Sequence, residues 1–283
     1  MDPFVFAAVL VAAACHAGWN ASIKRTLDPL ATTTLIAIGA GLVALPAIPF
    51  FGWPELPSWP WLIASIVIHL FYFAGLIESY RAGDLGQVYP IARGAAPLMT
   101  ATMTTLFVGE HLGLYGWGGI VMLALGVLLL SLRGGRDLAK LDRVAVGFAL
   151  FTAVTVSAYS VVDGIGARSA GPGNAGAYST VLFVGIAPVV VVYALIRRGT
   201  PVLKQMVPFW KTGLLGGGLA VISYSIATWA MTLAPIAIVA ALRETSVLFG
   251  ALIAVVILKE PLRPARIVAA LMIVCGLMLL RVA

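Results

Sequence analysis

The sequence predicts an all-α integral membrane protein, with ten transmembrane helices folded as two inverted five-helix repeats around a central cavity. Three observations predict it. Of the 283 residues, 61% are hydrophobic and 10% charged, against roughly 25% charged in soluble domains, so lipid is the solvent for most of the surface. The apolar residues fall into ten runs of about 20 residues, the length a helix needs to cross the hydrocarbon core. Shifted by 150 positions, the chain overlays itself, with Arg93 on Arg243, Glu110 on Glu260 and Gly126 on Gly276. The same shift lays "LFVGEHL" over "VILKEPL" and "LALGVLLL" over "IVCGLMLL".

The segments are 3–24, 31–51, 59–80, 86–108, 113–132, 144–165, 175–196, 211–232, 236–258 and 263–281. Short connections marked by Gly or Pro separate many of them, among them "GWPELPS", "RAGD", "SAGPGN" and "LAP". The first segment is expected to be a span rather than a cleaved leader, because no basic residue precedes it and its apolar run is too long for a signal core. Residues 1–137 and 138–283 make the two repeats. Each holds an odd number of helices, so the halves point in opposite directions, an arrangement that places a binding site near the midplane between them.

Orientation follows from the basic residues. Fourteen of the eighteen Lys and Arg lie in connections after odd-numbered segments, Arg168 and Arg281 lie on the other side, and Arg93 and Arg243 lie within spans. The positive-inside rule then puts both termini outside the cytoplasm. The net charge of +7 comes largely from this bias, and no basic domain is present to bind nucleic acid.

Candidate site residues are those whose chemistry does not suit lipid. His16, Trp19 and Asn20 in segment 1 share a face at i, i+3 and i+4. They suit a wet cavity wall, the alternative being interhelical hydrogen bonds worth about 0.6 kcal/mol each in membranes. Segment 3 sets His69, Tyr72, Leu76 and Tyr80 at helical spacing, with Tyr72 in mid-span. Arg93 and Arg243 each cost at least ~2.5–3.5 kcal/mol at the bilayer centre, so they should face the interior. Pro90, three residues before Arg93, removes one backbone hydrogen bond and can kink the helix. Either an arginine touches substrate, or an internal pair of Arg243 with Glu244 or another carboxylate fixes packing. Successive helical residues diverge by about 100°, which makes Glu244 a poor direct partner for Arg243 and lets the two border one polar cavity.

Segment 6 strings Thr152, Tyr159, Ser160 and Asp163 along one stripe, with Asp163 expected near the hydrated membrane end. Segment 8 offers Tyr224 and Thr228, with Ser225 and Trp229 beside them. Glu78 is expected to pair with Arg81 at a helix end, and Glu110 and Glu260 are expected to be structural turn residues. Trp53, Trp59, Trp61 and Trp117 suit the interface. Gly109/Gly113 and Gly213/Gly217 have GxxxG spacing, weak evidence for close helix contact and no better evidence for a dimer.

The stretches "HAGWNASIK", "FVGEHL" and "VILKEPL", with a glycine-containing last helix in each half, resemble the drug/metabolite transporter superfamily, specifically its ten-helix type with two EamA domains, and most of all the bacterial amino-acid exporters. The resemblance covers nearly the whole chain. It implies a cavity lined by helices 1, 3, 4, 6, 8 and 9, with helices 5 and 10 packed outside. It also implies a multi-pass protein of the bacterial inner membrane, with periplasmic termini, that exports small metabolites such as amino acids by alternating access. The alternative is a channel or facilitator for sugars or amines. The substrate-binding set is then His16, Trp19, Asn20, Tyr72, Arg93, Tyr159, Ser160, Tyr224, Arg243 and Glu244. The expected partners are a small molecule and the bilayer, and the expected assembly is a monomer.

Other classes lack their signatures. Cys15 and Cys275 fall within spans without CxxC spacing, and the three histidines show no ligand spacing, so no metal or cofactor is expected. There is no HExxH and no Ser/His or paired-Asp motif for an intramembrane enzyme, and no filter signature of a channel. Few carboxylates lie within spans, which favours facilitated movement or weak proton coupling.

Overall fold

The computed structural model describes residues 1–23, 27–82, 85–131, 143–256, 259 and 264–283; at helical positions 19–23, 79–82, 85–90, 131 and 254 it describes the backbone alone. The described residues are helical with no strand. The principal helices are α1 (Pro3–Ile23), α2 (Pro29–Ala44), α3 (Trp59–Ala82), α4 (Leu85–Met103), α5 (Leu114–Ser131), α6 (Arg143–Arg168), α7 (Ala175–Arg198), α8 (Trp210–Leu233), α9 (Ile236–Arg243), α10 (Ser246–Val256) and α11 (Pro264–Val282). Seven helical stretches are long and apolar enough to cross a membrane, and Pro3–Gly18 and Leu114–Leu130 are shorter apolar helices. Helices are the form that satisfies every backbone polar group where no water can.

The polarity is that of a protein in lipid. Phe50, Phe107, Leu114 and Ile196 face outward and exposed, while Asp163, Glu244, Ser157 and Thr228 are buried. Local chemistry sets the helix ends. Asp28 accepts the N–H groups of Leu30 and Ala31 at 3.1 and 3.3 Å, with Pro29 at the first helical position of α2. After α4 a π-helical turn, Thr104–Val108, ends at Gly109 with φ 74°, the left-handed conformation that glycine reaches without strain.

Two crossings depend on glycine. At α2–α8, a Cβ on Gly217 would lie 2.2 Å from the Ala40 nitrogen, and one on Gly39 2.0 Å from the Gly213 carbonyl oxygen. At α5–α11, a Cβ on Gly126 would lie 3.0 Å from the Ala269 oxygen, and one on Gly276 2.9 Å from the Gly119 oxygen. Elsewhere α1 packs on α8, α3 and α4 on α6, and α2 on α7, while α9 and α10 lie against α1.

Contacts between connections collect at two ends. At one end the Met1 amino group meets the Arg281 carbonyl at 3.5 Å, Glu55 N–H donates to the Ala170 carbonyl, and Glu110 pairs with Arg168 at 2.8 Å. At the other, Arg197 pairs with Glu78 at 2.5 Å and Arg198 with Asp28 at 2.8 Å. The pair expected between Glu78 and Arg81 falls partly outside the described residues, since the Arg81 side chain does, as does Glu260.

One predicted span is broken. Residues 236–258 read as continuous, but the chain turns at Glu244 and Thr245. There Glu244 N–H bonds to the Ala241 carbonyl and Thr245 N–H to Leu242, three residues back rather than four. The Thr245 hydroxyl also donates to Leu242 at 2.6 Å, a side-chain bond that competes with the helical ladder.

Candidate functional site

The break brings Arg243, Glu244 and Ser246 inward, against α4 and α1. Arg93 Nε lies 2.9 Å from Glu244 Oε2, an ion pair without the alignment of a hydrogen bond, and both side chains are nearly buried. Arg93 Nη2 also donates to Ser246 Oγ at 2.9 Å and reaches His16 Nε2 at 3.1 Å. A guanidinium only donates, so His16 Nε2 is the acceptor there. The carboxylate expected beside Arg243 therefore belongs to Arg93. Of the two packing alternatives, Glu244 is thus paired with Arg93 rather than with Arg243, in keeping with its expected poor fit as a direct partner of Arg243.

Arg243 instead lies over the Tyr224 ring, 4.7 Å from its centroid, a cation–π arrangement. Among the described residues it has no carboxylate partner. Arg243 and Glu244 line a small cavity with Ala96, Pro97 and Thr100 of α4, Val156, Tyr159 and Ser160 of α6, and Ala240 of α9. Its volume is about 10 Å³, room for roughly one water.

Beyond the cavity is an aromatic layer. Tyr159 stacks on His69 at 4.3 Å and 25°, and Tyr72 meets Tyr159 edge-on at 5.6 Å. His69 Nδ1 lies 2.9 Å from the Ser65 carbonyl; a carbonyl only accepts, so that nitrogen carries the proton. Behind this layer, Asp163 is fully buried. It takes the Tyr178 hydroxyl at 2.8 Å on Oδ1 and the Tyr224 hydroxyl on Oδ2.

His16, Arg93 and Glu244 thus form one cluster, and Tyr72, Tyr159 and Tyr224 form another. Ser160 and Arg243 stand on the cavity between, the Ser160 hydroxyl donating to the Val156 carbonyl at 2.7 Å. The side chains of Trp19 and Asn20 lie outside the described residues. The expectation of a hydrated Asp163 is overturned: α7 and α8 cover that end of α6, and two tyrosine hydroxyls take the place of water. Ser246, His69 and Tyr178 also belong to the site and were not in the predicted set. The usable signal was the i, i+4 spacing of Tyr159 and Asp163 and of Ser65 and His69. Glu110 is structural as expected, with a defined task. It pairs with Arg168 and accepts the N–H of Ile236 at 2.9 Å and of Ala237 at 3.4 Å, the first amides of α9. Arg168 in turn donates to the carbonyls of Met231 and Ala234.

An apolar helical exterior thus encloses a small cavity with charged and hydroxyl-bearing walls, the polarity of a polytopic membrane protein. Residues 4–132 and again residues 143–282 match the EamA-like transporter family. A Sinorhizobium protein named "Uncharacterized transporter in cobO 3'region" is 30% identical over 117 residues, 39% of this chain and 74% of that protein. A crystal structure described only as that of a protein covers 98% of this chain and 94% of its own, at 19% identity and a TM-score of 0.73, a likeness of fold. The chain belongs to the EamA-like transporter family of the drug/metabolite transporter superfamily.

Proposed function

We propose that the chain is a secondary transporter that exports small zwitterionic metabolites, amino acids above all, across a bacterial inner membrane by alternating access. One observation carries the reading. Arg243 stands on the cavity wall with no carboxylate partner among the described residues, while Glu244 beside it is neutralised by Arg93. A guanidinium so placed takes a substrate carboxylate through two parallel N–H bonds. Tyr159 and Ser160 supply hydroxyls on the facing wall.

The architecture we assign is ten spans in two inverted repeats, 1–137 and 138–283. Helix pairing supports it, since exchanging the halves turns α1 on α8 into α6 on α3 and leaves α2 on α7 and α5 on α11 unchanged. Glycines support it as well: Gly126 against Ala269 becomes Gly276 against Gly119 under the same 150-residue shift. The collection of connections at two ends supports alternating crossings. The cavity must widen to admit a solute, and the Arg243–Tyr224 contact, held by no ion pair, is the part of the wall that can yield.

The test is counterflow. Proteoliposomes preloaded with unlabelled neutral amino acids should take up the labelled mixture saturably. Arg243→Ala should reduce uptake at least tenfold, and Arg243→Lys should restore it in part, because an ammonium is a point charge without the planar fork. Movement of labelled sugars or amines in place of amino acids would favour the facilitator alternative.

A further inference from the structure

We propose that the Glu244 carboxylate is the ammonium subsite of the cavity, so that the chain neighbours Arg243 and Glu244 hold the two ends of an α-amino acid. The inference rests on the reading above, in which Arg243 takes the substrate carboxylate, and it deepens that reading by assigning the other end of the zwitterion.

Two buried carboxylates lie near the cavity, and they differ in how they are satisfied. Asp163 accepts the hydroxyls of Tyr178 and Tyr224, one on each oxygen, and is not part of the cavity lining. Glu244 is 5% exposed and lines the cavity. Its carboxylate accepts no aligned hydrogen bond from any described residue. Its contact is the ion pair with Arg93, in which Nε and Oε2 are 2.9 Å apart but misaligned. An ionised carboxylate only accepts and has room for about four bonds, and buried polar groups are nearly always bonded. The break in the helix keeps the exception in place. Glu244 donates its N–H to the Ala241 carbonyl and accepts that of Val247, so its backbone is fixed while its side chain stays unbonded on the wall.

An ammonium supplies what is missing, because it carries only donors and its bonds to a carboxylate are of the stronger, charge-assisted kind. With a zwitterion seated, the charges along the wall alternate: Arg93, Glu244, substrate ammonium, substrate carboxylate, Arg243. Arg93 and Glu244 already cancel, so charge balance alone would admit any carboxylate at Arg243. The unbonded oxygens of Glu244 are what favour a carboxylate that also bears an amino group. Arg93 is the positioning residue for Glu244, and Ser246 and His16 fix its guanidinium at 2.9 and 3.1 Å. At about 10 Å³ the cavity is too small for an amino acid, so the two neighbours flank the space that opens when the Arg243–Tyr224 contact yields.

The test compares ligands with and without the amino group on the purified chain in detergent. The probes are a mixture of neutral α-amino acids and the matching mixture of carboxylic acids that lack the amino group. Affinity is read from the rise in melting temperature with probe concentration. The wild type should bind the amino acids about tenfold or more tightly, the factor expected when a buried acceptor gains its missing partner. Arg93→Met combined with Glu244→Leu should bind both mixtures alike. Glu244→Asp keeps the charge, strands no arginine and draws the carboxylate back by one methylene. It should narrow the ratio, and it carries the test where the double variant does not fold. Arg243→Ala should weaken both mixtures together. With wild-type counterflow intact, equal binding of the two mixtures by the wild type, or a ratio undiminished in the Glu244 variants, would overturn the assignment of Glu244 alone. No counterflow of amino acids by the wild type would overturn the transport reading and the subsite with it.

Discussion

Glu244 and Arg93 show how a charged residue survives inside a bilayer, and the pair predicts its own mutant behaviour. Removing one partner of a buried ion pair strands the other, at a cost of about 3–5 kcal/mol, whereas replacing both by apolar residues of similar size is often neutral. Glu244→Gln is therefore expected to lower the melting temperature in detergent markedly. Arg93→Met combined with Glu244→Leu should regain most of that loss while remaining defective in counterflow, since the cavity wall then loses the Glu244 carboxylate beside Arg243. Equal melting of the single variant and the wild type would mean that the pair does not hold the halves together. The interior placement of both arginines was legible in the sequence because lipid excludes them. Their partners were not. A helical wheel shows that Arg243 and Glu244 diverge, but the meeting of Glu244 with Arg93 depends on α4 and α9 lying side by side, which no local pattern records. Asp163 was misplaced for a related reason: its position near the end of segment 6 suggested a wet helix end, and the covering came from Tyr178 and Tyr224 on other helices.

At the scale of elements, the seven helical stretches long and apolar enough to cross a membrane were legible as runs of apolar residues of spanning length. The break between α9 and α10 was not, because "LRETSV" contains no proline or glycine. Distant groups help to position it: Glu110 caps the first amides of α9, and Arg168 holds the last carbonyls of α8. Glu110→Ala should cost about 1–3 kcal/mol, the usual loss when a buried partner is left unsatisfied, read as a drop in melting temperature. The glycine spacing was a partial guide. Gly213 and Gly217 do meet α2, whereas Gly109 ends a helix and Gly113 has nothing near it. Gly217→Ala should destabilise despite the roughly 1 kcal/mol that alanine gains over glycine in a helix, because its Cβ would fall 2.2 Å from the Ala40 nitrogen. Gly147→Ala on α6, where a Cβ meets nothing within 4 Å, is the control and should be neutral or stabilising. Similar melting shifts for the two would show that α2 and α8 can separate without penalty.

The whole molecule poses the question of orientation, and two independent observations bear on it. The Met1 amino group lies beside the Arg281 carbonyl, and a Cβ on Gly116 would lie 3.7 Å from the Cβ of Ala283. Both ends of the chain and the start of α5 therefore share one face, and a chain that starts and finishes on the same face crosses an even number of times. That face also carries Glu110 and Arg168. The opposite face carries Arg197 and Arg198 with their carboxylates Glu78 and Asp28, and it is the side on which the sequence reading expects the majority of the basic residues. Basic residues in short loops are retained in the cytoplasm, so the face with the termini is expected to be periplasmic. A reporter that is active only in the cytoplasm should stay silent when fused after Ala283 and become active when inserted between Arg198 and Pro201. The second fusion matters because a silent terminal reporter alone could reflect poor expression. Activity at Ala283 with silence near Arg198 would invert the protein, turning the export we assign into uptake while leaving the helix pairing and the site unchanged.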